Sequence, residues 1–261
     1  GAVVQTGRSR TDSATYTGSG GADTFIMINT ADTLTGGSGT DTLDINKAAI
    51  LGGLNVDLTN TTDQLVSFNG SATSGTVLGF ENVLADGYTG TFGAQLVGSS
   101  TANTLTGTAN GDVINGAAGN DIITGGTGND TLTGGSGNDT FIFLADADAT
   151  DNIVEAASGG TDTISSAAAG GNVDISALDF GGADGASLAQ IEQIVIDTGR
   201  EFEVLAAQAT GLTLNINELA TGTATLDIDI AGAGGALDIS NFTFTAAGGD
   251  AFDDGVDVID I

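Results

Sequence analysis

Large apolar residues recur every nine positions in two stretches of the chain, separated by polar, glycine-rich residues. Residues 98–142 divide into the nonapeptides GSSTANTLT, GTANGDVIN, GAAGNDIIT, GGTGNDTLT and GGSGNDTFI, and residues 18–44 divide into GSGGADTFI, MINTADTLT and GGSGTDTLD. The eighth position of every repeat is a large apolar residue: Phe25, Leu34, Leu43, Leu105, Ile114, Ile123, Leu132 and Phe141. A fixed short period is typical of stacked structural repeats. We therefore expect these eight side chains to form a thin core.

The segments outside the repeats alternate apolar and polar residues, as half-buried strands do. This alternation occurs at 54–58, 212–216, 226–230, 237–239, 242–244 and 256–258. Residues 187–196, SLAQIEQIVI, allow a short helix, although the second half fits a strand equally well. Five nonapeptides would stack to a height of only about 12 Å, so the flanks must cap or extend them.

The composition adds a requirement for metal ions. The chain holds 34 Asp and Glu residues against four basic ones, for a formal net charge of −30, and it has neither His nor Cys. Such a surface repels nucleic acid and anionic lipid, and its self-repulsion opposes folding unless cations compensate it. The usual ligands of zinc, copper and iron–sulfur clusters are missing, whereas carboxylates and carbonyls suit Ca²⁺. Calcium is therefore the expected ion, and no nucleic-acid partner is expected.

Three of the eight repeats match the full pattern G-G-x-G-x-D-x-U-x, in which U is a large apolar residue. This pattern resembles the RTX repeats of calcium-binding secreted bacterial proteins. The resemblance implies an all-β fold with parallel β-roll segments embedded in a larger β-solenoid or β-sandwich. In such a roll the first six residues of each repeat turn and the last three form a strand. Repeats eighteen residues apart become neighbours, and calcium lies between them.

Transferred to this chain, the resemblance implies paired aspartates with main-chain carbonyls around each ion. One site pairs Asp121 with Asp139 and takes carbonyls from Ala117, Gly119, Gly134 and Ser136. A second site pairs Asp112 with Asp130 and takes carbonyls from Thr108, Asn110, Gly125 and Thr127. A third pairs Asp23 with Asp41 and takes carbonyls from Ser19, Gly21, Gly36 and Ser38. Asn103 facing Asp121 would form a weaker site, and Asp32 is a doubtful ligand because its repeat has no glycine.

Two acidic segments outside the repeats leave alternatives open. The run DADATDNIVE at 146–155 lacks the central Gly and final Glu of an EF-hand loop, so a solvated cap of the roll is favoured over a separate calcium site. The tail GGDAFDDGVDVIDI is either an acidic edge strand or, by resemblance to RTX proteins, a type I export signal. The phrases GFENV at 79–83 and IEQIVI at 191–196 resemble a strand that often accompanies RTX arrays.

The organisation expected from these patterns has five parts. They are an N-terminal strand or linker at 1–17, a short roll at 18–44, a β-rich connector at 45–97, the main roll at 98–142, and a β-rich region for assembly or export at 143–261. No apolar run reaches the roughly 18 residues that span a membrane, so direct membrane insertion is not expected. Because Gly1 is not followed by a charged-then-apolar segment, we expect a processed protein or an excised piece.

Catalysis is not expected. Without His or Cys, histidine triads, cysteine nucleophiles and zinc hydrolase motifs are excluded. A Ser–Lys pair would depend on Lys47 alone, and a two-carboxylate glycosidase would normally bring sugar-stacking aromatic residues, whereas the chain has 2 Tyr and no Trp.

The flanks rich in Ala, Thr and Gly resemble those of RTX-containing S-layer proteins. The resemblance implies a non-enzymatic, calcium-binding structural protein that folds and self-assembles at the bacterial cell surface after type I secretion. Expected partners are further copies of the chain and, in a surface lattice, a cell-surface glycan or lipopolysaccharide. Two alternatives remain, the calcium-binding region of a large RTX adhesin and the carboxy-terminal carrier domain of a secreted RTX toxin or hydrolase.

Overall fold

The computed structural model describes residues 2–3, 14–27, 31–45, 53–68, 77–144, 151–155, 159–166, 173–174, 191–196, 201–205, 215–218, 225–229, 243–245 and 258–260. All regular secondary structure in these ranges is β, which confirms the all-β prediction. The strands are β1 Ala2–Val3, β2 Thr15–Thr17, β3 Thr24–Ile26, β4 Thr33–Thr35, β5 Thr42–Asp44, β6 Leu54–Asp57, β7 Leu65–Phe68, β8 Val77–Leu78, β9 Asn82–Leu84, β10 Ala94–Val97, β11 Thr104–Thr106, β12 Val113–Ala118, β13 Ile122–Thr124, β14 Thr131–Ser136, β15 Thr140–Ile142, β16 Asn152–Ile153, β17 Thr163–Ser165, β18 Val173–Asp174, β19 Gln193–Ile196, β20 Glu201–Leu205, β21 Asn215–Glu218, β22 Thr225–Asp229, β23 Thr243–Thr245 and β24 Val258–Asp260.

The chain divides into two compact units, Gly1–Leu132 and Thr133–Ile261. In the first unit the strands follow the orders β1-β3-β5-β9-β11-β13, β2-β4-β8 and β12-β10-β6-β7. In the second unit they follow the orders β15-β17-β19-β21-β23 and β18-β20-β22-β24. Apart from β6 and β7, strands that pair with each other in these sheets are not consecutive in sequence. Consecutive strands therefore belong to different sheets, as in a solenoid.

The repeats stack in parallel with an eighteen-residue register. Phe25 lies opposite Leu43, and Leu105 lies opposite Ile123, so each apolar eighth position meets its counterpart two repeats later. All eight predicted core residues are at most 1% exposed, which confirms the core prediction. These registers also confirm that repeats eighteen residues apart are neighbours.

The strand β9, which comes from the GFENV phrase, joins the two repeat arrays of the first unit. It pairs with β5 of the short array on one side and with β11 of the main array on the other, so that Val83 lies opposite both Leu43 and Leu105. The turn that leads into β9 has only three residues, 79–81. Within it, Phe80 is buried and packs edge-on against Phe25 with ring centroids 5.3 Å apart.

One strand of the first unit runs against the parallel pattern. The strand β7 pairs antiparallel with β6, with a register shift at Asn55/Val56. Just before β7, the side-chain amide of the buried Gln64 pairs with the main chain of Phe80. Its Oε1 accepts a hydrogen bond from Phe80 N–H at 2.9 Å, and its Nε2 donates one to Phe80 O at 3.0 Å. This amide therefore links the end of β6 and β7 to the segment that precedes β9.

Several expectations for the flanks are corrected or completed. The helix considered for 187–196 is wrong for Gln193–Ile196, which form β19 with Ile194 and Ile196 fully buried, because this segment pairs with β17 and β21. The solvated cap is wrong at 151–155, since Asp151 is 1% exposed and Asn152–Ile153 form a strand.

The acidic tail contributes β24, the last strand in its sheet order, while the alternating segment 237–239 lies outside the described residues. Among the described residues there is no helix with the length and apolarity needed to cross a membrane.

Candidate metal centre

The glycine-rich turns are built from left-handed residues in close contact with the turn two repeats away. In the turn at 125–130, Gly126 and Gly128 have φ values of 108° and 135°. A Cβ at Gly126 would overlap Thr108 O, and a Cβ at Gly128 would lie 2.9 Å from Asn110 O. Only glycine combines this backbone with this approach, so the repeat pattern places carbonyl oxygens between facing turns.

The sixth-position acids of these turns are buried. Asp23, Asp32, Asp41, Asp112, Asp121, Asp130 and Asp139 are between 0% and 3% exposed. All four basic residues of the chain lie outside the described ranges, so no described Lys or Arg compensates these carboxylates. Burying an uncompensated carboxylate is costly, and the cost falls when the group is hydrogen-bonded or coordinates a metal.

Main-chain N–H groups supply part of this compensation. Four of these acids accept a hydrogen bond from the residue at the matching position one coil earlier: Asp41 from Asp23 N at 2.8 Å, Asp121 from Asn103 N at 2.7 Å, Asp130 from Asp112 N at 2.7 Å, and Asp112 from Ala94 N. We call this series of carboxylate–N–H contacts the acid ladder. Asp32 belongs to it as well, since its Oδ1 accepts from Ala14 N at 2.9 Å.

The two turns of the predicted site at Asp112 and Asp130 lie against each other. Asp130 Oδ1 accepts a hydrogen bond from Asp112 N, while the turn of Asp130 lies against the carbonyls of Thr108 and Asn110. Thr127 contacts the same turn, with Oγ1 donating to Ala109 O at 3.4 Å. A Cβ at Gly107 would overlap Gly125 O, whereas the carboxylate of Asp112 is hydrogen-bonded to Thr108 of its own turn. Several main-chain carbonyls thus lie between these two turns, and the binding of an ion by this set stays a prediction.

The short array repeats this arrangement at Asp23 and Asp41. Gly21 N donates to Ser38 O at 2.7 Å, and Ser38 N donates to Ser19 O at 3.3 Å. The two turns are therefore hydrogen-bonded to each other, and the accepting carbonyls are two of the predicted ligands. The second carboxylate oxygen of Asp41, Oδ2, is buried and accepts no hydrogen bond. A buried carboxylate oxygen without a donor is an electrostatic reason to hold a cation there.

Four copies of the family model for the RTX calcium-binding nonapeptide repeat match the chain, at residues 29–44, 97–132, 106–141 and 116–149. The chain contains RTX calcium-binding repeats. No curated protein matches it. The matched residues cover the last two repeats of the short array and all of the main array, whereas the turn at 18–23 lies outside the match.

The residues present fit the ion that RTX repeats bind, which is calcium. Every candidate donor is an oxygen, the turns are flexible and glycine-rich, and the buried carboxylates need positive charge. Within the described ranges no three His, Cys, Asp or Glu side chains form a metal-binding group. An ion between RTX turns would therefore be held by two carboxylates and main-chain carbonyls, and its charge would compensate the buried acids.

The remaining predicted RTX site falls on both units. Asp121, Ala117 and Gly119 belong to the first unit, while Asp139, Gly134 and Ser136 belong to the second. The pairing of Asp121 with Asp139 therefore stays a prediction. The weaker site at Asn103 is engaged by the protein itself: Oδ1 accepts from Ser99 N at 2.6 Å, and Nδ2 donates to Glu81 O at 2.6 Å.

The sequence patterns missed three positions of the acid ladder and one further buried acid. Glu81 Oε2 accepts from Asp41 N at 2.7 Å, Asp162 Oδ1 accepts from Asp139 N at 2.9 Å, and Glu192 Oε2 accepts from Asp162 N at 2.8 Å. Asp151 is also buried directly before a strand. All four acids stand two residues before a buried apolar residue, which is the one part of the RTX pattern they retain.

Burial and neighbouring negative charges raise the pKa values of two acids that follow the main array, Glu155 and Asp162. Burial raises the pKa of Glu155 to about 7, and the nearby charges of Asp162 and Asp139 add to the rise. Burial likewise raises the pKa of Asp162 to about 6, with contributions from Asp139 and Glu192. Glu155 accepts hydrogen bonds from Gly134 N and Gly135 N, which partly offset its burial. This end of the array holds more negative charge than its protein surroundings stabilise.

Proposed function

We propose that this RTX-repeat protein is a non-enzymatic extracellular structural protein that folds around calcium and assembles with further copies of itself. The observation that carries the proposal is the series of buried carboxylates in the repeat turns. In the described part of the chain these acids have no basic side chain beside them. A fold of this kind gains stability from any cation that binds only the folded state.

The location follows from the calcium concentration that such sites need. Extracellular calcium modules bind with dissociation constants of about 10⁻⁴ to 10⁻³ M. At the much lower calcium of a cytosol these acids would repel one another and the fold would be at most marginally stable, which suits export by type I secretion. RTX-repeat proteins are typically secreted. We therefore place the folded protein outside the cell, as a component of an S-layer, filament or matrix.

Assembly with a second copy is supported by apolar side chains that the first unit leaves exposed. Phe92 and Val113 are 59% and 51% exposed. Val113 lies on the outward position of β12, beside the exposed Gln95 of β10. Apolar side chains presented by regular strands provide a surface that another copy could cover.

The test compares the purified 261-residue chain in 5–10 mM calcium, in the same concentration of magnesium, and in excess chelator. We expect circular dichroism to show a weaker β signal and a lower thermal midpoint in magnesium or chelator than in calcium, and electron microscopy to show sheets or fibres only with calcium. The same fold and assembly in chelator would contradict the proposal. A calcium-folded monomer that binds cells or glycans would replace the assembly function with that of an adhesin.

A further inference from the structure

The repeat turns fall into two classes according to the residue at their second position. This residue is Ser or Thr in three described turns and Gly or Ala in four. The first class comprises Ser19, Ser99 and Thr108, and the second comprises Gly37, Ala117, Gly126 and Gly135. Every member of the second class has a positive φ, between 76° and 115°, and no member of the first class does.

In the first class the second residue closes the turn onto its own sixth-position side chain. Ser19 N donates to Asp23 Oδ2 at 2.8 Å, and Thr108 N donates to Asp112 Oδ2 at 2.6 Å. The hydroxyls reinforce these bonds: Thr108 Oγ1 donates to Asp112 Oδ1 at 2.9 Å, and Ser19 Oγ donates to Asp23 Oδ2 at 3.1 Å. We call these turns self-capped.

In the second class the left-handed backbone turns the second residue away from this role. The best-defined case is the turn at 36–41, where Gly37 has a φ of 115° and Asp41 Oδ2 is buried without a hydrogen bond. Asp41 still belongs to the acid ladder through its other oxygen, Oδ1. We call turns with a left-handed second residue open, after the uncapped Oδ2 of Asp41.

Self-capped and open turns occur in pairs. Each self-capped turn leads, and the turn eighteen residues later is open: Ser19 pairs with Gly37, Ser99 with Ala117, and Thr108 with Gly126. The facing turns are in contact, since Ser38 N donates to Ser19 O and Ala118 N donates to Ser99 O. Each pair therefore combines a sixth-position side chain that its own turn caps with one whose turn has a left-handed second residue.

We propose that the second-position hydroxyl sets the calcium affinity of its turn, by competing with the ion for the sixth-position carboxylate. The proposal rests on calcium binding by the repeats and adds a division of the sites into weaker and tighter ones. A hydrogen bond to a charged group contributes more than one between neutral groups, so an ion must displace a substantial interaction to use Asp112 or Asp23. Open turns impose no such competition.

The test replaces one hydroxyl in the full chain and measures calcium binding by isothermal titration calorimetry. Thr108→Val removes Oγ1 while keeping the size and branching of the side chain. We expect one ion to bind about tenfold more tightly, a change of about 1.4 kcal/mol. At the same time the calcium-free protein should lose stability, because the carboxylate of Asp112 loses two hydrogen-bond contacts with the hydroxyl.

Two further variants make the outcome decisive. Thr108→Ser keeps the hydroxyl and should restore the wild-type affinity, while Thr104→Val alters an exposed strand residue and should change nothing. A purely structural role for Thr108 would lower both stability and affinity, and that result would overturn the proposal, as would equal affinities in Thr108→Val and Thr104→Val. If the wild-type chain binds no calcium, the proposed function itself fails.

Should Thr108→Val not fold without calcium, Ser19→Ala provides the same measurement in the short array. There the hydroxyl of Ser19 is exposed, so its loss leaves no cavity. We again expect tighter binding of one ion, and an unchanged or weaker affinity would overturn the proposal.

Discussion

The main array and the coils that follow it make the same carboxylate–N–H contact, but the two bonded residues are separated by different lengths of chain. In the array, Asp121 and Asp130 accept N–H groups from residues eighteen positions earlier. After the array, the same contact spans 23 residues at Asp162 and 30 residues at Glu192. The acid ladder therefore depends on the register of the strands and tolerates chain of variable length between them.

The carbonyl oxygens that lie between facing turns, here called the carbonyl cradle, depend more on turn length than the ladder does. The turn at 125–130 has six residues, and its left-handed Gly126 and Gly128 lie against the carbonyls of Thr108 and Asn110. The turn before β9 has only three residues, and its longer acid, Glu81, reaches the position that an aspartate holds elsewhere. This turn keeps the hydrogen bond of the ladder and one carbonyl contact, that of Gly79 O with Gly36, so we treat ladder and cradle as separable parts of the repeat.

The largest effect should come from the buried apolar positions that each region contains. Ile123 in the array and Ile194 after it are each 0% exposed. We expect Ile123→Ala and Ile194→Ala to lower the free energy of unfolding by about 2–5 kcal/mol each, measured by urea denaturation at saturating calcium. Ile122→Ala, at an adjacent residue that is 41% exposed, is the control and should cost far less. A small effect at Ile194 alone would show that apolar burial contributes less to the later coils than to the array.

The next effect separates ladder from cradle. Asp130→Asn keeps an acceptor for Asp112 N and removes a charge from a complete cradle, so calcium affinity should fall at least about tenfold or one ion should be lost. Glu81→Gln keeps the acceptor for Asp41 N in the three-residue turn, and the number of bound ions should stay the same. Equal losses in the two variants, by calorimetry, would mean that the short turn also binds calcium.

A smaller effect concerns pH in the later coils. Glu155 and Asp162 have pKa values raised to about 7 and about 6, so between roughly pH 4 and pH 7 the folded protein binds more protons than the unfolded chain. Without calcium, this part of the stability is present at low pH and is lost as the pH rises to 7. The thermal midpoint in chelator should fall over this range, and Glu155→Gln should reduce the slope. A midpoint that rises from pH 5 to pH 7 equally in both proteins would contradict this assignment.

The smallest effect lies at Ala117, the single non-glycine residue with positive φ among those described, at 76°. A left-handed alanine costs about 1–2 kcal/mol, part of which glycine loses again through the entropy of the unfolded chain. Ala117→Gly should therefore raise the free energy of unfolding by up to about 1 kcal/mol. Ala109→Gly, in the preceding turn and without positive φ, should lower it instead.

The nine-residue pattern was sufficient to predict the core, and its resemblance to RTX repeats implied the eighteen-residue register. These features depend on residue type at fixed spacing, which a sequence displays directly. Glu81, Asp162 and Glu192 were missed because turns of irregular length break the spacing while the strands stay in register. The strand β9 was recognised as a companion of the repeats, but its place between the two arrays follows from pairing over long distances in sequence.

The acid ladder also has a direction. In every contact described, the N–H comes from the earlier coil and the carboxylate from the later one. A chain that emerges through a pore with its carboxyl end leading would present each new coil with an acid that is already in place. In a chain that emerges with its amino end first, the N–H group of each coil would have no carboxylate partner until the next coil had emerged. The direction in which such a chain emerges thus determines whether a coil can form its ladder contact at once or only after the following coil has emerged.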